Sequence, residues 1–275
     1  MSATITFDTF ATAHLEGALR LSQEAGWPHR RGDWQLLSRL SRGVVALAAG
    51  NVVGTALATP FGDVAMANMI IVDAGMRGRG LGRQVMTRAM AEVGVPEWRL
   101  TATDDGLPLY EKLGFVATGR VLQHQGVPMA QALPSGVDWA DAADMEGIAT
   151  LDRQATGADR RDLLVRLMIE GRLAVIRKGD DLVGYACLRR FGRGDLVGPV
   201  VAETAEMAQR LISFLITKAQ GGFLRVDTTE AAGLAPWLTA QGLAPVGGGI
   251  SMQRGGTTLP VVPLLCFALA AQAFG

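Results

Sequence analysis

The chain repeats itself, and this constrains its fold more than any other feature. Arg42–Leu57, RGVVALAAGNVVGTAL, is matched by Arg172–Leu188, RLAVIRKGDDLVGYACL. Each is an apolar strand, a Gly-Asn or Gly-Asp-Asp turn, and a second strand carrying Val-Gly-(Thr/Tyr)-Ala. Such turns between apolar runs signal hairpins. Pro108–Gly119, PLYEKLGFVATG, is matched by Pro236–Gly247, PWLTAQGLAPVG, each a short helix ending at a glycine (Gly114, Gly242) and then a strand. Arg99–Thr103, RLTAT, is matched by Arg225–Thr229, RVDTT. The offset is 128 between Pro108 and Pro236 and 130 between Gly54 and Gly184. Three matches in one order at nearly one offset predict a duplicated unit.

Within the first copy the patterns predict strands over Thr4–Phe7, Val44–Leu57 (a hairpin), Ala65–Val72, Trp98–Thr103 and Phe115–Gln123. Helices are predicted up to Leu40 and over Leu81–Val93 and Leu107–Leu113, the first of these two carrying Leu81, Val85, Ala89 and Val93 on one face. Strands interleaved with helices imply an α/β (α+β) fold with a mixed central sheet flanked by helices. The copies meet in the Pro-, Gly- and Ser-containing stretch Gln125–Val137. The predicted domains are 1–128 and 136–275. Each opens on a helical pattern, Ala11–Gly26 and Trp139–Gln154.

Basic and acidic residues balance at 26 each, with 49% hydrophobic residues, which excludes a disordered chain and argues against a nucleic-acid partner. Two cysteines, Cys187 and Cys266, build no disulfide framework, and no export signal opens the chain, so the expected compartment is the cytoplasm. His14, His29 and His124 stand apart from one another, so no metal is expected. The apolar stretch Leu259–Gly275 is short for a membrane span and carries Pro260 and Pro263, so it is expected to pack into the core rather than against a membrane or partner.

The chemistry points to Met69–Met86, MIIVDAGMRGRGLGRQVM: a buried strand, a loop of Gly and Arg, and a helix. Gly78, Gly80 and Gly82 let backbone N–H groups approach a ligand, the helix from Leu81 presents its positive end, and Arg77, Arg79 and Arg83 add charge. The guest these features suit is a diphosphate. A P-loop would need Lys-Ser or Lys-Thr after Gly80, and a dinucleotide fingerprint would need glycine at Arg83. The pattern R-x-x-G-x-G/A is met by Arg77, Gly80 and Gly82.

This segment, with Val72-Asp73 before it, resembles the coenzyme A loop of the GNAT superfamily of N-acetyltransferases. Leu109-Tyr110-Glu111-Lys112-Leu113-Gly114-Phe115 is similar to that superfamily's L-Y-x-x-x-G-F segment. The resemblance covers nearly all of the first half. More faintly, through Gly184-Tyr185-Ala186, Gly198-Pro199-Val200 and the Gly242 segment, the second half resembles the divergent C-terminal domain of tandem members.

The resemblance implies two tandem GNAT-like folds, the first a catalytic domain binding acetyl-CoA. It implies that Ile70, Ile71 and Val72 bind the pantetheine arm through their backbone, the N–H of Ile70 polarising the acetyl carbonyl, beside a diphosphate site at residues 77–83. It assigns Tyr110 to the departing thiolate, the alternative being a core aromatic. Thr103 stands where the family often has Asn, and Gly106 where it often has Ala. Met66 stands where some members place a catalytic Glu, so the general base is open among Asp104, Asp105, Asp63, Glu24 and His29. Trp27 and Trp34 flank the expected acceptor loop and either contact a small amine or anchor that loop to the core.

At an offset of 128, Arg77, Gly78, Gly80 and Gly82 fall on Ala205, Glu206, Ala208 and Arg210, and Tyr110 falls on Leu238. The second half is therefore expected to keep the fold, lose the cofactor site and wall the acceptor cleft, with Asp152, Arg160, Arg161, Arg189 and Arg190 as residues that could face it. The function expected is acetyl transfer to a primary amine of a small molecule by direct attack, in a monomer or homodimer. A non-catalytic acyl-CoA sensor and a protein N-acetyltransferase are the alternatives.

Overall fold

The repeated patterns become one succession of elements, built twice. The computed structural model describes residues 4–219, 221–256 and 264–275. The first half runs β1 (Ile5–Thr9), α1 (Leu15–Glu24), α2 (Arg31–Leu40), β2 (Arg42–Ala48), β3 (Asn51–Phe61), β4 (Val64–Val72), α3 (Leu81–Ala91), β5 (Glu97–Ala102), α4 (Leu107–Lys112) and β6 (Val116–Gly126). The second runs β7 (Asp138–Trp139), α5 (Met145–Thr156), α6 (Arg161–Glu170), β8 (Gly171–Lys178), β9 (Asp181–Phe191), β10 (Gly194–Ala202), α7 (Ala205–Lys218), β11 (Leu224–Thr229), α8 (Ala235–Ala240) and β12 (Ala244–Gly255). One strand, β13 (Leu265–Ala268), has no counterpart in the first half. Trp139, expected in a helix, lies in β7, and the helix starts only at Met145.

The strands form a single mixed sheet in the order β1-β2-β3-β4-β5-β12-β6-β11-β13-β10-β9-β8-β7. The halves exchange their last strands. β12 of the second half pairs antiparallel with β5 of the first, Ile250 opposite Ala102 through Gly255 opposite Glu97. β6 of the first half pairs with β11 of the second, Val121 opposite Thr229 through Gly126 opposite Leu224. β6 and β12 also pair with each other, closing the seam. The glycine run Gly247-Gly248-Gly249 belongs to this seam: a Cβ on Gly248 would stand 1.8 Å from the Val121 carbonyl oxygen. The boundary read from the sequence falls in the β6–β7 connection, but the sheet runs across it.

On one face of the sheet, α1 and α2 pack beside α5 and α6 over a shared core. Leu21, Trp34 and Leu37 from the first half meet Ile148, Leu163, Leu167 and Tyr185 from the second. On the other face the halves keep separate cores. α3 covers Val44, Ala46 and Ala56 through Leu81, Val85 and Ala89. α7 covers Ala186, Val197 and Val200 through Ala208, Leu211 and Leu215. The i, i+4 stripe read from the sequence is the buried face of α3 at Leu81, Val85 and Ala89, while Val93 lies beyond the helix end.

The described part of the apolar C-terminal stretch is core. Phe267, Ala268, Ala270 and Phe274 are buried, and β13 lies between β10 and β11. Residues 259–263 of that stretch lie outside the described residues. Among the described residues, no helix is long and apolar enough to cross a membrane.

Candidate active site

The Gly-Arg loop joins β4 to α3 through eight residues, Asp73–Gly80. Its first turn is held by Asp73, whose Oδ1 accepts the Gly75 N–H at 2.9 Å and whose own N–H donates to the Val53 carbonyl at 2.9 Å. Gly78 and Gly80 both adopt the left-handed conformation (φ +77° and +71°), which a side chain would strain. Gly80 is the N-cap of α3; no side chain caps the helix and its first turn holds no acidic residue. The first N–H groups of α3 therefore keep their donor capacity and the positive end of the dipole. Arg77, Arg79 and Arg83 are exposed around them, while the Leu81 side chain is buried in the core. Only the backbone of Leu81 is available to a ligand.

β4 and β5 are parallel neighbours for three residues, Val64 opposite Glu97 through Met66 opposite Arg99, and then diverge. β4 also bulges against β3, with Asn68 opposite Leu57 but Ile71 opposite Thr55. Two residues, Met69 and Ile70, thus face Ala56 alone. Met69 takes φ +49°, and its inward-turned carbonyl accepts the Thr55 hydroxyl at 2.7 Å. An L-residue holds this conformation at a cost of about 1–3 kcal/mol, so the buried Thr55 bond is what keeps the bulge in place.

The divergence opens into a cavity of about 440 Å³. Ile70, Thr103 and Tyr110 line it from the first half, and Phe191, Arg193 and Arg225 from the second. Tyr110 is 7% exposed, and burial pushes its phenol up to about 12. Its ring packs edge-on against Phe115 at 6.2 Å, and its hydroxyl has no hydrogen-bond partner among the described residues. Gly106 explains its own departure from the family pattern: a Cβ there would lie 2.8 Å from Tyr110 Cε2. Thr103 lines the cavity while its hydroxyl accepts the Gly106 N–H at 3.2 Å.

Trp27 and His29 line the same cavity; Trp34 does not. Trp34 is fully buried, stacks on Phe10 at 5.8 Å and donates from Nε1 to Ser22 Oγ at 3.0 Å. Of the two tryptophans, the one on the helix is a core anchor, because α2 turns it inward. Burial pushes His29 down to about 4, against the pull of Asp33, and the nearby Arg225 and Arg189 act in the same direction as burial. His29 is thus neutral near pH 7, with its Nδ1 buried and unpartnered. Asp63, Asp104, Asp105 and Glu24 are not in the cavity lining. Among the described residues, no group of three His, Cys, Asp or Glu could hold a metal ion.

Several residues expected near the cleft lie elsewhere. Arg160 and Asp152 form a fully buried ion pair at 2.5 Å, joined by the Tyr185 hydroxyl and by the Gly275 carbonyl. Arg161 pairs with Glu146 at the surface and Arg190 with Asp195. Arg189 packs behind Phe191, 5.1 Å from its ring. Phe191, Arg193, Arg225 and Asn68, which do line the cavity, were not singled out from the sequence. The only hint was the Phe191-Gly192-Arg193-Gly194 turn, which places a cation at a hairpin tip.

The second half shows how such a site is lost. The stretch Ala205–Arg210, which a fixed offset aligns with the Gly-Arg loop, is the first turns of α7, because the loop itself is gone. Only Glu203 and Thr204 separate β10 from α7. Thr204 Oγ1 caps the helix by accepting the Met207 N–H at 3.2 Å, and Glu206 occupies the first turn. β10 and β11 pair for the same three positions as β4 and β5, Asp195 opposite Leu224 through Val197 opposite Val226, and then diverge. β13 fills this gap, bonding both strands. Gly198 makes the insertion possible, since a Cβ there would lie 1.9 Å from the Leu269 carbonyl oxygen.

Comparison with known proteins agrees with both halves. A family model described as an acetyltransferase (GNAT) domain matches residues 39–117, and a second model of the same description matches residues 148–262. The chain belongs to the GNAT acetyltransferases, as a member with two such domains in tandem. It is 29% identical over 223 residues, 78% of either chain, to a protein of Bacillus subtilis (strain 168) described as the uncharacterized N-acetyltransferase YitH. It is 27% identical over 169 residues, 60% of this chain and 58% of the other, to the holothin acyltransferase of Pseudoalteromonas sp. (strain SANK 73390). Among solved structures, a chain from Pyrococcus horikoshii provisionally assigned as an acetyltransferase superposes with a TM-score of 0.84 at 20% identity, over 98% of this chain and 96% of that one. A tandem GNAT protein from the clavulanic acid biosynthesis pathway superposes with a TM-score of 0.64 at 16% identity, over 93% of this chain and all of the other. At these identities the superpositions speak for the fold alone.

Proposed function

We propose that the first half binds acetyl-CoA and transfers its acetyl group to the primary amine of a small molecule, while the second half binds no cofactor and walls the acceptor cleft. The observation that carries this reading is the contrast between two copies of one fold. One has an eight-residue Gly-Arg loop, an uncapped helix and an open strand gap; the other has a two-residue connection, a capped helix and a filled gap.

The residues present fit the group. The N–H groups of residues 78–83 and the guanidiniums of Arg77, Arg79 and Arg83 would hold the diphosphate. The backbone of Ile70, Ile71 and Val72 and the hydroxyl of Thr103 border the gap suited to the pantetheine arm. When bound, acetyl-CoA supplies the activated acetyl group and a thiolate leaving group. The N–H of Ile70, fixed by the bulge, is a preorganised donor for charge developing on the acyl oxygen. Tyr110 stays protonated below pH 10, so its unpartnered hydroxyl can donate a proton or hydrogen bond to the leaving sulfur. Cys187 is buried with its thiol pushed up to about 12, and neither cysteine lines the cavity, which supports direct attack by the amine.

Tyr110→Phe tests the reading. The hydroxyl bonds to nothing among the described residues, so the variant should fold normally and bind acetyl-CoA with unchanged affinity. CoA release with an accepted amine should fall by about 10²–10⁴-fold. Gly80→Glu, which adds both strain and like charge at the anion site, should abolish acetyl-CoA binding by calorimetry. Undiminished turnover in Tyr110→Phe would instead favour a non-catalytic acyl-CoA sensor.

A further inference from the structure

The acceptor cavity is built from both halves, and its charge is lopsided. The β9–β10 turn of the second half docks onto the loop before α2. The Gly192 N–H donates to Asp33 Oδ2 at 3.1 Å, which sets the next residue, Arg193, at the cavity rim. Arg193 is exposed and has no ion-pair partner among the described residues. Arg225, on β11, lines the wall behind it, paired to Asp227 at 2.8 Å and stacked over Phe191 at 5.2 Å.

Arg189, which is buried, also lies over the Phe191 ring, at 5.1 Å. Its nearest carboxylate oxygen, Asp33 Oδ1, is 3.8 Å away and already bonds Arg30 at 2.8 Å. The Arg189 guanidinium donates to the carbonyls of Arg190 and Ala270, at 3.3 and 3.2 Å, while its Nε has no partner among the described residues. Arg189 and Arg225 thus both lie over the Phe191 ring, with Arg193 at the cavity rim, and the carboxylates beside them, Asp33 and Asp227, are already bonded to Arg30 and Arg225. No Asp or Glu lines the cavity itself. Arg193 and Arg225 therefore put positive charge on a cavity wall whose lining holds no carboxylate, and an anion is the complement of that wall.

The opposite wall offers the complementary group. Asn68, on β4 before the bulge, spends its Nδ2 on the Thr59 hydroxyl and on the carbonyls of Met66 and Ala273, at 2.8, 3.3 and 3.0 Å. Its Oδ1 is buried and receives no donor. Buried amide oxygens are normally satisfied, and because Asn68 lines the cavity, a small rotation of its side chain would present this one to the N–H of a bound amine.

Resting on the transferase reading above, we infer that the acceptor is an amine that also carries an anionic group, a carboxylate or a phosphate. The second half binds the anion through Arg193 and Arg225, and Asn68 receives the amine at the end of the cavity nearer Ile70. The degenerate half is then the specificity half of the enzyme.

Matched pairs of amines test this by CoA release: phenylalanine against 2-phenylethylamine, lysine against 1,5-diaminopentane, and glucosamine 6-phosphate against glucosamine. In at least one pair, kcat/KM should favour the anionic member by about 10–100-fold, the worth of one charge-assisted contact. Which pair responds separates carboxylate from phosphate. Arg193→Met should bring that ratio to about one, and Arg193→Glu should invert it. Arg190→Met, three residues earlier in the chain and outside the cavity lining, should leave the ratio where it was. Turnover that ignores the anion in every pair, or a ratio that survives in Arg193→Met, overturns the inference and leaves the transferase reading standing. Absence of turnover with every amine overturns both.

Discussion

The bulge in β4 rests on one hydroxyl, and Thr55→Val removes it while keeping the side chain's shape. Thr55 is fully buried and donates to the Met69 carbonyl at 2.7 Å. Without the donor that carbonyl is left buried and unsatisfied, a cost of about 1–3 kcal/mol. Met69 at φ +49° then loses the bond that over-determines its strained conformation. The cheapest relaxation straightens β4, and a one-residue slip turns Ile70 away from the gap, because side chains and amides alternate along a strand. Thr55→Ser is the control: it keeps the hydroxyl and loses one buried methyl, about 1 kcal/mol. Urea unfolding should show both variants destabilised by amounts of similar order. CoA release should separate them, Val losing about 10–100-fold in kcat, the worth of a misplaced oxyanion donor, and Ser about twofold or less. Equal turnover in the two variants would refute the claim that this hydrogen bond positions the Ile70 amide.

Two further outcomes follow from burial. His29 is pushed down from its usual 6.5 to about 4, so the folded state prefers it neutral; its contribution is complete above pH 6.5 and is lost as pH falls towards 4. The loss is of order 3 kcal/mol by pH 4, so the gap in unfolding free energy between wild type and His29→Phe should narrow on acidification, and a gap constant from pH 7.5 to 4.5 would show that His29 titrates normally. Gly198→Ala places a Cβ 1.9 Å from the Leu269 carbonyl oxygen, which should expel β13 and the residues after it. A stability loss above about 2 kcal/mol and failure to turn over amines are expected, because Ala271, Gln272 and Ala273 line the cavity; a variant as stable and active as wild type would mean that β13 does not need the gap.

Elements that depend on local pattern were legible in the sequence. The Leu81, Val85 and Ala89 stripe announced α3 and its buried face, and the Gly-Asn and Gly-Asp-Asp turns announced both hairpins. The Gly-Arg loop was legible because a backbone-lined anion site demands glycines at positive φ next to a helix start. Strand exchange was not legible, because β6 and β12 have the same strand pattern whichever neighbour they pair with. The missing loop was hidden for another reason: a fixed offset cannot see a deletion, and α7 supplied plausible partners for every loop residue. Trp34 was ambiguous since an aromatic near a loop reads the same whether it faces a ligand or Phe10. Arg193, Arg225 and Asn68 come from a hairpin turn and two strands distant in sequence, and only the sheet brings them to one cavity.

Exchange and plugging together tie the second half, which lacks the Gly-Arg loop, into the fold. β5 of the first half has no partner on its far side except β12, so the catalytic sheet is completed by the second copy's last strand. β6 in turn completes the second copy by pairing with β11. Neither half can be removed without exposing the other's strand edges, which single sheets must otherwise cover. The gap between β10 and β11 is the one liability the second copy inherits, since strands diverging around an empty slot leave backbone groups unpaired. In the second copy β13 satisfies such groups with the chain's own amides. The segment that follows then turns back to bring Ala271–Ala273 to the wall of the acceptor cavity and the Ala273 carbonyl to Asn68. The plugging of the second strand gap and the walling of the cavity are thus carried by a single stretch of chain.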